Sequence, residues 1–416
     1  MQNSSANSGY LQVSVFNAAA NTPIGDATVQ ISPTGSENRV VEEVITDPSG
    51  QSDTVGLNAP AVELSLNPET AEQPYSEYDL TISAEGFETV KIRGVQILPD
   101  TKALQNVRMP SLESKIPAKE NIVIGPHTLW FEYPPKIPED SVKPLPGGGG
   151  LVVLPQPVVP EIIVVHDGVP NDTSAQNYYI PFTDYIKNVA SSEIYATWST
   201  PTIEANILAI LSFTMNRVYT EWYRGKGFNF TVTSSTAYDQ KFIYGRNVFT
   251  EISTIVDYLF TTYITKPDIR QPLFTQYCDG KNVTCPDWLS QWGSKYLGDQ
   301  GYESVQILRN YYGQEIYLAE AEKVSGVPVS YPGTPLQSGS VGPNVRTIQE
   351  QLNRISDNYP AIPKIRADGI YGPQTRGAVE KFQQIFNLPQ TGIVDFATWY
   401  KISNIYVAVA RLAENV

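Results

Sequence analysis

The sequence predicts a multidomain protein with an N-terminal all-β sandwich, a central α+β domain and a small C-terminal helical domain. Residues 8 to about 110 alternate apolar and polar side chains in short runs, a helix pattern near residue 200 is apolar nearly all round, and amphipathic stretches with glycine turns follow Gly339. A chain of 416 residues is long enough for two or three cores. The expected divisions are 1–112, 113–153, 154–328 and 336–416.

In the first division, strand-like runs recur between turn signals, which is typical of an antiparallel sandwich. These runs are LQVSVF, ATVQI, VVEEVIT, VELSL, YDLTIS and TVKIRGVQI. The words Pro23–Val29, Thr46–Gly50 and Ala84–Phe87 resemble the carboxypeptidase regulatory-like fold. The region contains no pattern of catalytic residues, so we expect a folding or docking module.

Residues from about 111 to 160 are rich in proline and include a glycine run at 147–150. Prolines favour an extended backbone, and four glycines give a protease an adaptable one. We therefore expect an exposed interdomain linker, and its glycine run would also suit cleavage by a protease.

The central division is expected to be built around one buried helix. Thr200–Pro201 opens it, because proline favours the first helical turn, and its apolar residues predict a buried axis. Strands are expected in FNFTVTSST and KFIYG, residues 228–236 and 241–245. Helices and strands together predict a mixed α+β domain.

One acidic side chain lies on an apolar helical seam. Ile186, Val189 and Glu193 follow the spacing i, i+3 and i+7, which puts them on one helix face. Desolvation raises the pKa of a carboxyl group, so such a glutamate can hold a proton near neutral pH and act as a general acid. A glutamate beside an apolar face can equally serve structure, by accepting bonds from an arginine, a backbone N–H or water.

The run at 180–194, followed by Trp198, resembles the opening of the SpoIID/LytB domain of sporulation peptidoglycan hydrolases. Residues 289–313, LSQWGSKYLGDQGYESVQILRNYYG, resemble its closing stretch. With its flanking regions, the chain resembles the clostridial germination-specific spore cortex-lytic enzymes of the SleC type. The resemblance implies that Glu193 is the catalytic acid of a lytic transglycosylase. One carboxyl group suffices there, because the C6 hydroxyl of muramic acid replaces water as the attacking group.

The chain departs from the SpoIID pattern where that family carries polar groups. Leu211 stands where the family has an arginine, the nearest basic residue on the helix is Arg217, and no Gly-His-Gly word precedes Ser290–Gln291. Substrate positioning must therefore differ. The substrate-positioning candidates, each of which could instead be structural, are Gln240, Tyr244, Ser290 and Gln291.

The resemblance also implies a zymogen whose N-terminal part is removed during germination by a subtilisin-like Csp protease. The expected cleavage region is Gly150, Leu151, Val152 and Val153. The implied location is the spore, in the cortex or coat region. Residues 1–16 lack the basic segment and apolar core of a secretory signal, which fits deposition by the mother cell without export.

Composition bears on the partners. The net charge of −14 opposes binding to nucleic acid or anionic lipid. The most apolar stretch, Ile207–Met215, is too short to span a bilayer. We therefore expect neither a nucleic acid nor a membrane partner. The resemblance to the cortex-lytic enzymes implies spore cortex peptidoglycan as the substrate.

Two cysteines, Cys278 and Cys285, flank a turn-like Asp-Gly. They favour a local disulfide, or free thiols, over zinc, because two thiols supply half a zinc site and the only histidines are His127 and His166. Some SpoIID relatives carry zinc in this region, so the metal alternative stays open. No cofactor is expected.

The last division contains a small internal repeat. Gly369 and Gly392 lie 23 residues apart, as do Thr375 and Thr398. These stretches resemble the type 1 peptidoglycan-binding domain, which implies a wall ligand. The wall-binding candidates are Asp368, Gly369, Tyr371, Gly372, Thr375, Phe382 and Trp399.

Two other functions stay open. An N-acetylmuramoyl-L-alanine amidase, or a bifunctional enzyme, would cut the peptide from muramic acid, although amidases commonly use zinc-bound water and the sequence shows no His-rich ligand set. A non-catalytic wall-binding or coat protein would make Glu193 structural.

Overall fold

A computed structural model describes residues 7–36, 39–113, 121–143 and 156–414, with the side chains of 411–414 excepted. It is a multidomain α+β structure whose N-terminal part is mostly strand. The elements of this part are β1 (Asn7–Asn17), β2 (Thr28–Pro33), β3 (Glu42–Ile45), β4 (Val55–Ala59), α1 (Val62–Leu66), β5 (Ser76–Ser83), β6 (Val90–Ile97), β7 (Lys102–Met109) and β8 (Asn121–Val123).

The N-terminal strands form two sheets. One has the order β3-β2-β5-β6-β8, and the other contains β7-β1-β4, with β1 parallel to β7 and antiparallel to β4. Alternate side chains on β1 and β2 are buried, including Leu11, Val13, Val29 and Ile31. The alternation therefore identified these strands because one face of each sheet is covered.

Three elements of this region differ from the expectation. The run VELSL forms α1, a single helical turn after Pro60, in which only Ser65 is buried. Its alternation spans five residues, which is too short to separate a strand from one turn of helix. The strands β4 and β7 were not expected.

The central part contains β9 (Val158–Val159), β10 (Ile162–His166), β11 (Asn177–Pro181), α2 (Phe182–Glu193), α3 (Thr200–Tyr219), a 3₁₀ turn (Arg224–Lys226), β12 (Val232–Thr233), β13 (Val248–Phe249), α4 (Thr250–Leu259), β14 (Thr262–Thr265), β15 (Tyr277–Cys278), β16 (Leu289–Ser290), α5 (Gln291–Asp299), α6 (Ser304–Tyr312), β17 (Tyr317–Glu320) and β18 (Lys323–Val324). Helix α3 is buried along most of its length and contacts α2, α4, α5, α6 and β14. The predicted buried axis is confirmed.

The two strands expected after α3 are largely absent. Of residues 228–236 only β12 is strand, and residues 241–245 are irregular. The backbone of this second run is engaged by α2, since Lys241 N–H donates to Glu193 and Ile243 N–H donates to Asn188. Side chains thus take the hydrogen bonds that a neighbouring strand would otherwise accept.

The N-terminal and central parts share a sheet and a polar interface. Strand β13 pairs antiparallel with β7, which extends the N-terminal sheet by one strand. Asn247 exchanges two hydrogen bonds with the backbone of Gln96, at 3.1 and 2.9 Å, and Arg246 Nη2 donates to Gln96 Oε1 at 2.8 Å. The two parts are therefore docked rather than merely tethered.

Residues 121–143, here called the strap, run from the N-terminal sheet across the central part. The expectation of an exposed linker holds only in part for them, because Ile124, His127, Leu129 and Lys143 are buried while the three prolines at 134, 135 and 138 are exposed. Prolines 134, 135 and 138 keep the strap extended, and an extended chain can lie in a cleft as well as in solvent.

The C-terminal part is helical, with α7 (Pro343–Ser356), α8 (Pro373–Ile385) and α9 (Phe396–Glu414). The sequence repeat is also a structural repeat. Gln349 accepts from Gly369 N–H and donates to Thr375 Oγ1, while Gln383 accepts from Gly392 N–H and donates to Thr398 Oγ1. Each buried glutamine therefore fixes one glycine turn against a helix, and both glycines have positive φ.

Replacing Gln383 with leucine is expected to lower the free energy of unfolding of the C-terminal domain by about 2 kcal/mol. The change leaves Gly392 N–H and Ile393 C=O without the partners they have now. Urea unfolding followed by hydrogen–deuterium exchange in residues 373–402 measures it. Gln384→Leu at the exposed neighbouring position is the control, and equal stability of the two variants would contradict the prediction.

Among the helices of the described ranges, none combines the length and the apolar character that crossing a bilayer requires.

Candidate active site

Glu193 is the last residue of α2, and 2% of it is exposed. Its carboxylate accepts two hydrogen bonds within the protein. Lys241 N–H donates to Oε1 at 2.7 Å, and the Tyr277 hydroxyl donates to Oε2. Each carboxylate oxygen keeps a second lone pair, so Glu193 can still exchange a proton with a bound molecule.

Burial raises the pKa of Glu193 above its ordinary value. The ammonium group of Lys136 opposes this rise, as do the hydrogen bonds from Tyr277 and Lys241. The net direction is upward, so Glu193 holds its proton to a higher pH than an exposed glutamate does. This behaviour suits a general acid.

A buried polar chain fixes Tyr277 behind Glu193. Gln240 Nε2 donates to the Tyr277 hydroxyl oxygen at 3.1 Å, while Gln240 Oε1 accepts from Tyr185 and from Thr214, at 3.1 and 2.8 Å. Gln240 is fully buried. It therefore orients Tyr277 through this chain instead of lining the cleft.

The other three substrate-positioning candidates have different surroundings. Gln291 is buried and lines the cavity that contains Glu193. Ser290 caps α5, because its Oγ accepts from Gly293 N–H at 2.9 Å. Tyr244 stacks on Tyr178 with ring centres 4.5 Å apart. Of the four candidates, Gln291 is the one that lines the same cavity as Glu193.

The cavity at Glu193 is closed on one side by the strap. Its central-domain lining includes Glu193, Thr236, Tyr277, Asp279, Asn282 and Gln291, and its strap lining includes Thr128, Phe131, Tyr133, Pro134 and Lys136. Lys136 Nζ donates to the carbonyls of Thr236 and Asp239 and lies 4.9 Å from the Tyr277 ring centre. A cation from the strap thus reaches the neighbourhood of the candidate acid.

Two glutamine side chains hold the strap as a neighbouring strand would. Gln276 accepts from Glu139 N–H and donates to Ile137 C=O, both at 2.8 Å. Gln271 accepts from Lys143 N–H and donates to Lys143 C=O, both at 3.0 Å. At Ile137, Glu139 and Lys143 the strap backbone is therefore hydrogen-bonded by side chains of the central domain.

Arg217 anchors the strap by charge. Its Nη2 and Nη1 contact Glu139 Oε1 and Oε2 at 2.7 and 3.1 Å, and its Nε contacts Asp239 Oδ1 at 2.8 Å. Burial works to raise the pKa of Glu139, but the hydrogen bonds and charges of Arg217 and Lys143 outweigh it and lower that pKa. Arg217 is therefore committed to ion pairs away from Glu193.

Cys278 and Cys285 are joined by a disulfide, with Cα atoms 5.7 Å apart. The bridge closes the loop that follows Tyr277 and carries Asp279 and Asn282 into the cavity wall. Within the described ranges, no group of three or more His, Cys, Asp or Glu side chains is arranged to hold a metal ion.

Sequence patterns did not identify Tyr277, Lys241 or Lys136 as residues of the site. Lys241 acts through its backbone N–H, which every residue type but proline carries, so its identity gave no signal. Tyr277 directly precedes Cys278. Its place beside the two cysteines could have marked it as a candidate site residue. Lys136 lies in the segment that was expected to be exposed. The predicted cleavage region, residues 150–153, lies outside the described residues.

Most wall-binding candidates have structural roles in the C-terminal domain. Four of them are buried, namely Tyr371, Thr375, Phe382 and Trp399. Gly369 forms the turn held by Gln349, Gly372 precedes α8, and Asp368 accepts from Gln349 and from Ile370 N–H. On the same domain Val341 and Ile370 form an exposed apolar bridge pair that the sequence analysis did not identify.

Comparison with protein families gives one match. Residues 341–402 match the model of the type 1 peptidoglycan-binding domain. The predicted C-terminal domain is confirmed, and it indicates association with cell-wall peptidoglycan. No curated protein matches the chain.

Several solved structures share pieces of backbone with this chain. They include catechol 1,2-dioxygenase from Acinetobacter sp. ADP1 (12% identity, 30% of this chain and 60% of that one, TM-score 0.19), catechol 1,2-dioxygenase from Pseudomonas arvilla C-1 (14%, 27%, 55%, 0.18) and hydroxyquinol 1,2-dioxygenase from Pseudomonas putida DLL-E4 (10%, 27%, 59%, 0.19). The chain spans less than two thirds of the length of each. With TM-scores below 0.5, these likenesses carry no argument about fold or function.

Proposed function

We infer that this protein is the zymogen of a peptidoglycan lytic transglycosylase that acts on spore cortex during germination. The observation that carries the inference is a buried Glu193 with a raised pKa, in a cavity that the chain's own strap closes. The C-terminal domain would hold the enzyme on its insoluble polymer, which keeps the local substrate concentration high.

The chemistry needs one carboxyl group and no water. Protonated Glu193 gives its proton to the glycosidic oxygen as the bond from that oxygen to C1 of muramic acid breaks. The C6 hydroxyl oxygen of the same sugar then bonds to C1, and its proton passes to the Glu193 carboxylate. The carboxyl group is restored and a 1,6-anhydro ring is formed.

Tyr277 and Lys241 support both stages. Their hydrogen bonds hold the carboxylate in one orientation and stabilise its charged form after the first proton transfer. Gln240 keeps the Tyr277 hydroxyl pointed at Glu193. These residues are positioning groups for the acid.

The strap supports the zymogen part of the proposal in two ways. Thr128, Phe131 and Tyr133 occupy one wall of the cavity, where a glycan strand would have to pass. The Lys136 ammonium favours the charged form of Glu193, which cannot protonate a leaving group. A cut between residues 143 and 156 would separate the strap from the central domain, which fits activation by a subtilisin-like protease.

Docking of the N-terminal part also buries the Arg246 guanidinium of the central part, which is energetically unfavourable. Arg246 is buried, and its Nε and Nη1 have no hydrogen-bond partner within the described ranges. Burial lowers the pKa of Arg246 to about 10. Since an uncompensated buried charge is unfavourable, hydration of Arg246 would favour departure of the N-terminal part after cleavage.

Release of soluble fragments from cortex peptidoglycan tests the proposal. The full chain carries an inserted protease site within residues 144–155 and is assayed before and after cutting. We expect release only after cutting, and none from the cut Glu193→Gln protein. Equal release by the two cut proteins would reject Glu193 as the acid.

Acidic pH is expected to weaken docking of the N-terminal part. Burial and the nearby Arg246 cation lower the pKa of His127 well below 6.5, while its bond to Ile194 C=O opposes this shift. His127 Nδ1 accepts from Leu129 N–H and the ring stacks on Tyr195, so the docked form is neutral. Docking is then at full strength above about pH 6.5, and it weakens below that pH because the released histidine takes up a proton.

Retention of the N-terminal fragment by the cut chain, compared at pH 7.5 and 5.5, measures this effect. His127→Gln should remove most of the pH dependence. Stronger retention at pH 5.5 would contradict the prediction.

A further inference from the structure

The N-terminal part covers an aromatic face beside Glu193. The face consists of Tyr195, Trp198 and Trp292, which pack edge to face or tilted, with ring centres 5.1 to 6.2 Å apart. All three are buried in the uncut chain. Part of their cover comes from the N-terminal region, including the strap, and not from the central domain.

The N-terminal region contacts this face through one stacked imidazole ring and two hydrogen bonds. The His127 imidazole stacks on Tyr195 with ring centres 4.4 Å apart and planes at 25°. Trp198 Nε1 donates to Ser65 C=O at 2.9 Å, and Ser65 Oγ lies 2.8 Å from Thr197 Oγ1. Removing the N-terminal part would expose the ring face of Tyr195. It would also take the present hydrogen-bond partners from Trp198 Nε1–H and from the Thr197 hydroxyl.

Two backbone carbonyls next to Glu193 are covered in the same way. Ser192 C=O accepts from Thr128 N–H and Thr128 Oγ1, at 3.1 and 3.0 Å, and Ile194 C=O accepts from His127 Nε2 at 3.3 Å. His127 Nε2 carries the proton because Nδ1 is the acceptor for Leu129 N–H. Uncovering therefore exposes acceptors on both sides of the candidate acid.

Trp292 has a feature that does not depend on contacts with the N-terminal part. It is 8% exposed, and its Nε1–H has no hydrogen-bond partner in the described part of the chain. A buried indole N–H normally finds an acceptor. Trp292 also lines a second cavity, together with Tyr195 and Asn282 of the central domain. The other walls of this cavity come from the strap and from residues 64–70 of the N-terminal part.

The two cavities meet at Asn282, an exposed residue that lines both. The strap forms a wall of each cavity, with Phe131 in the one at Glu193 and with Leu129 and Trp130 in the one at Trp292. Without the strap the cavities would form one groove that leads from Glu193 past Asn282 to the aromatic face.

We propose that the aromatic face is a saccharide subsite of this groove, which binds an N-acetylhexosamine residue of the glycan strand once the N-terminal part has left. Pyranose rings present C–H groups that pack on aromatic faces. Their hydroxyl and acetamido groups match the indole N–H donors of Trp198 and Trp292 and the carbonyl acceptors of residues 192 and 194. The His127 ring occupies the position of the sugar in the uncut chain. The proposal rests on the proposed function for the identity of the polymer.

Binding of a defined sugar tests the proposal apart from catalysis. The full chain with Glu193→Gln and an inserted protease site is folded, cut and freed of its N-terminal fragment. Tetra-N-acetylchitotetraose is the probe, with tryptophan fluorescence and saturation-transfer NMR as readouts. The cut chain should bind it, the uncut chain should not do so in the groove, and Trp292→Phe should weaken binding about tenfold through loss of the N–H.

Matched variants keep the test decisive. Trp222→Phe, a tryptophan outside the groove, should leave binding unchanged, and Asn282→Ala at an exposed position should weaken it without affecting the fold. Equal affinity of the Trp292→Phe, Asn282→Ala and Trp222→Phe proteins would overturn the subsite. Failure of the fragment to leave the cut chain would also overturn it, because the face would then never be exposed.

Failure of the subsite can be distinguished from failure of the proposed function. Sugar binding that depends on Trp292, in a cut chain that makes no anhydro product, supports the subsite and rejects the transglycosylase. Anhydro product made with an unchanged KM by the Trp292→Phe protein supports the transglycosylase and rejects the subsite.

Discussion

Replacing Glu193 with glutamine is expected to lower the rate of glycan cleavage by the cut chain about a thousandfold, because the amide cannot donate a proton to the glycosidic oxygen. Glutamine has the same shape and can still accept from Lys241 N–H, so the site should keep its geometry. Release of soluble glycan from cortex peptidoglycan gives the rate. Retention of more than about a tenth of the activity would contradict the assignment.

The same substitution is expected to stabilise the fold at neutral and alkaline pH. Burial raises the pKa of Glu193, so the folded state loses stability as the pH rises from the ordinary pKa of glutamate through the raised value. The glutamine protein has no such loss. The difference in melting temperature between the two proteins should therefore increase with pH, whereas Glu350→Gln, at an exposed position of α7, should change nothing.

The second large effect is expected at the strap anchor. Replacing Glu139 with glutamine removes the two-pronged ion pair with Arg217, while Arg217 keeps Asp239. Losing this pair should favour the open strap by about 2 kcal/mol, which corresponds to about a thirtyfold rise in the open fraction and in the activity of the uncut chain.

Glu132→Gln, an exposed carboxylate on the same strap, is the matched control and should leave the uncut chain inactive. After cutting, the Glu139→Gln protein and the unmodified protein should be equally active, because the anchor has then gone from both. An uncut Glu139→Gln protein that folds normally and shows no added activity would contradict strap inhibition.

The sequence predicted the elements whose pattern is local. The apolar spacing around Glu193 gave its position on a buried face of α2, and the near-continuous apolar run after Pro201 gave α3 as the central axis. The 23-residue repeat gave two equivalent turns in the C-terminal domain. In each case the residues that carry the pattern lie within one helix or one 23-residue repeat.

The contacts that complete the site come from distant parts of the chain. Tyr277 follows Glu193 by 84 residues, and the residues that close the cavity belong to the strap. Proline-rich composition gave an extended strap but not its burial, because composition does not indicate what an extended segment packs against. The backbone N–H of Lys241 has no sequence signature at all.

Burial of the wall-binding candidates follows from the same limitation. Tyr371, Phe382 and Trp399 are large apolar residues in a small domain, and such a domain needs them for its core. A resemblance marks the residues that a family shares. It does not separate those that hold the fold from those that contact the ligand.

The chemical identity of the glycan ends is the most direct test of the central claim. Cortex peptidoglycan is digested with the full chain after cutting between residues 143 and 156, and the soluble fragments are analysed by mass spectrometry. We expect 1,6-anhydromuramic ends that require Glu193 and that are absent before cutting. New reducing ends, free stem peptides, or anhydro ends made equally by the Glu193→Gln protein would contradict it.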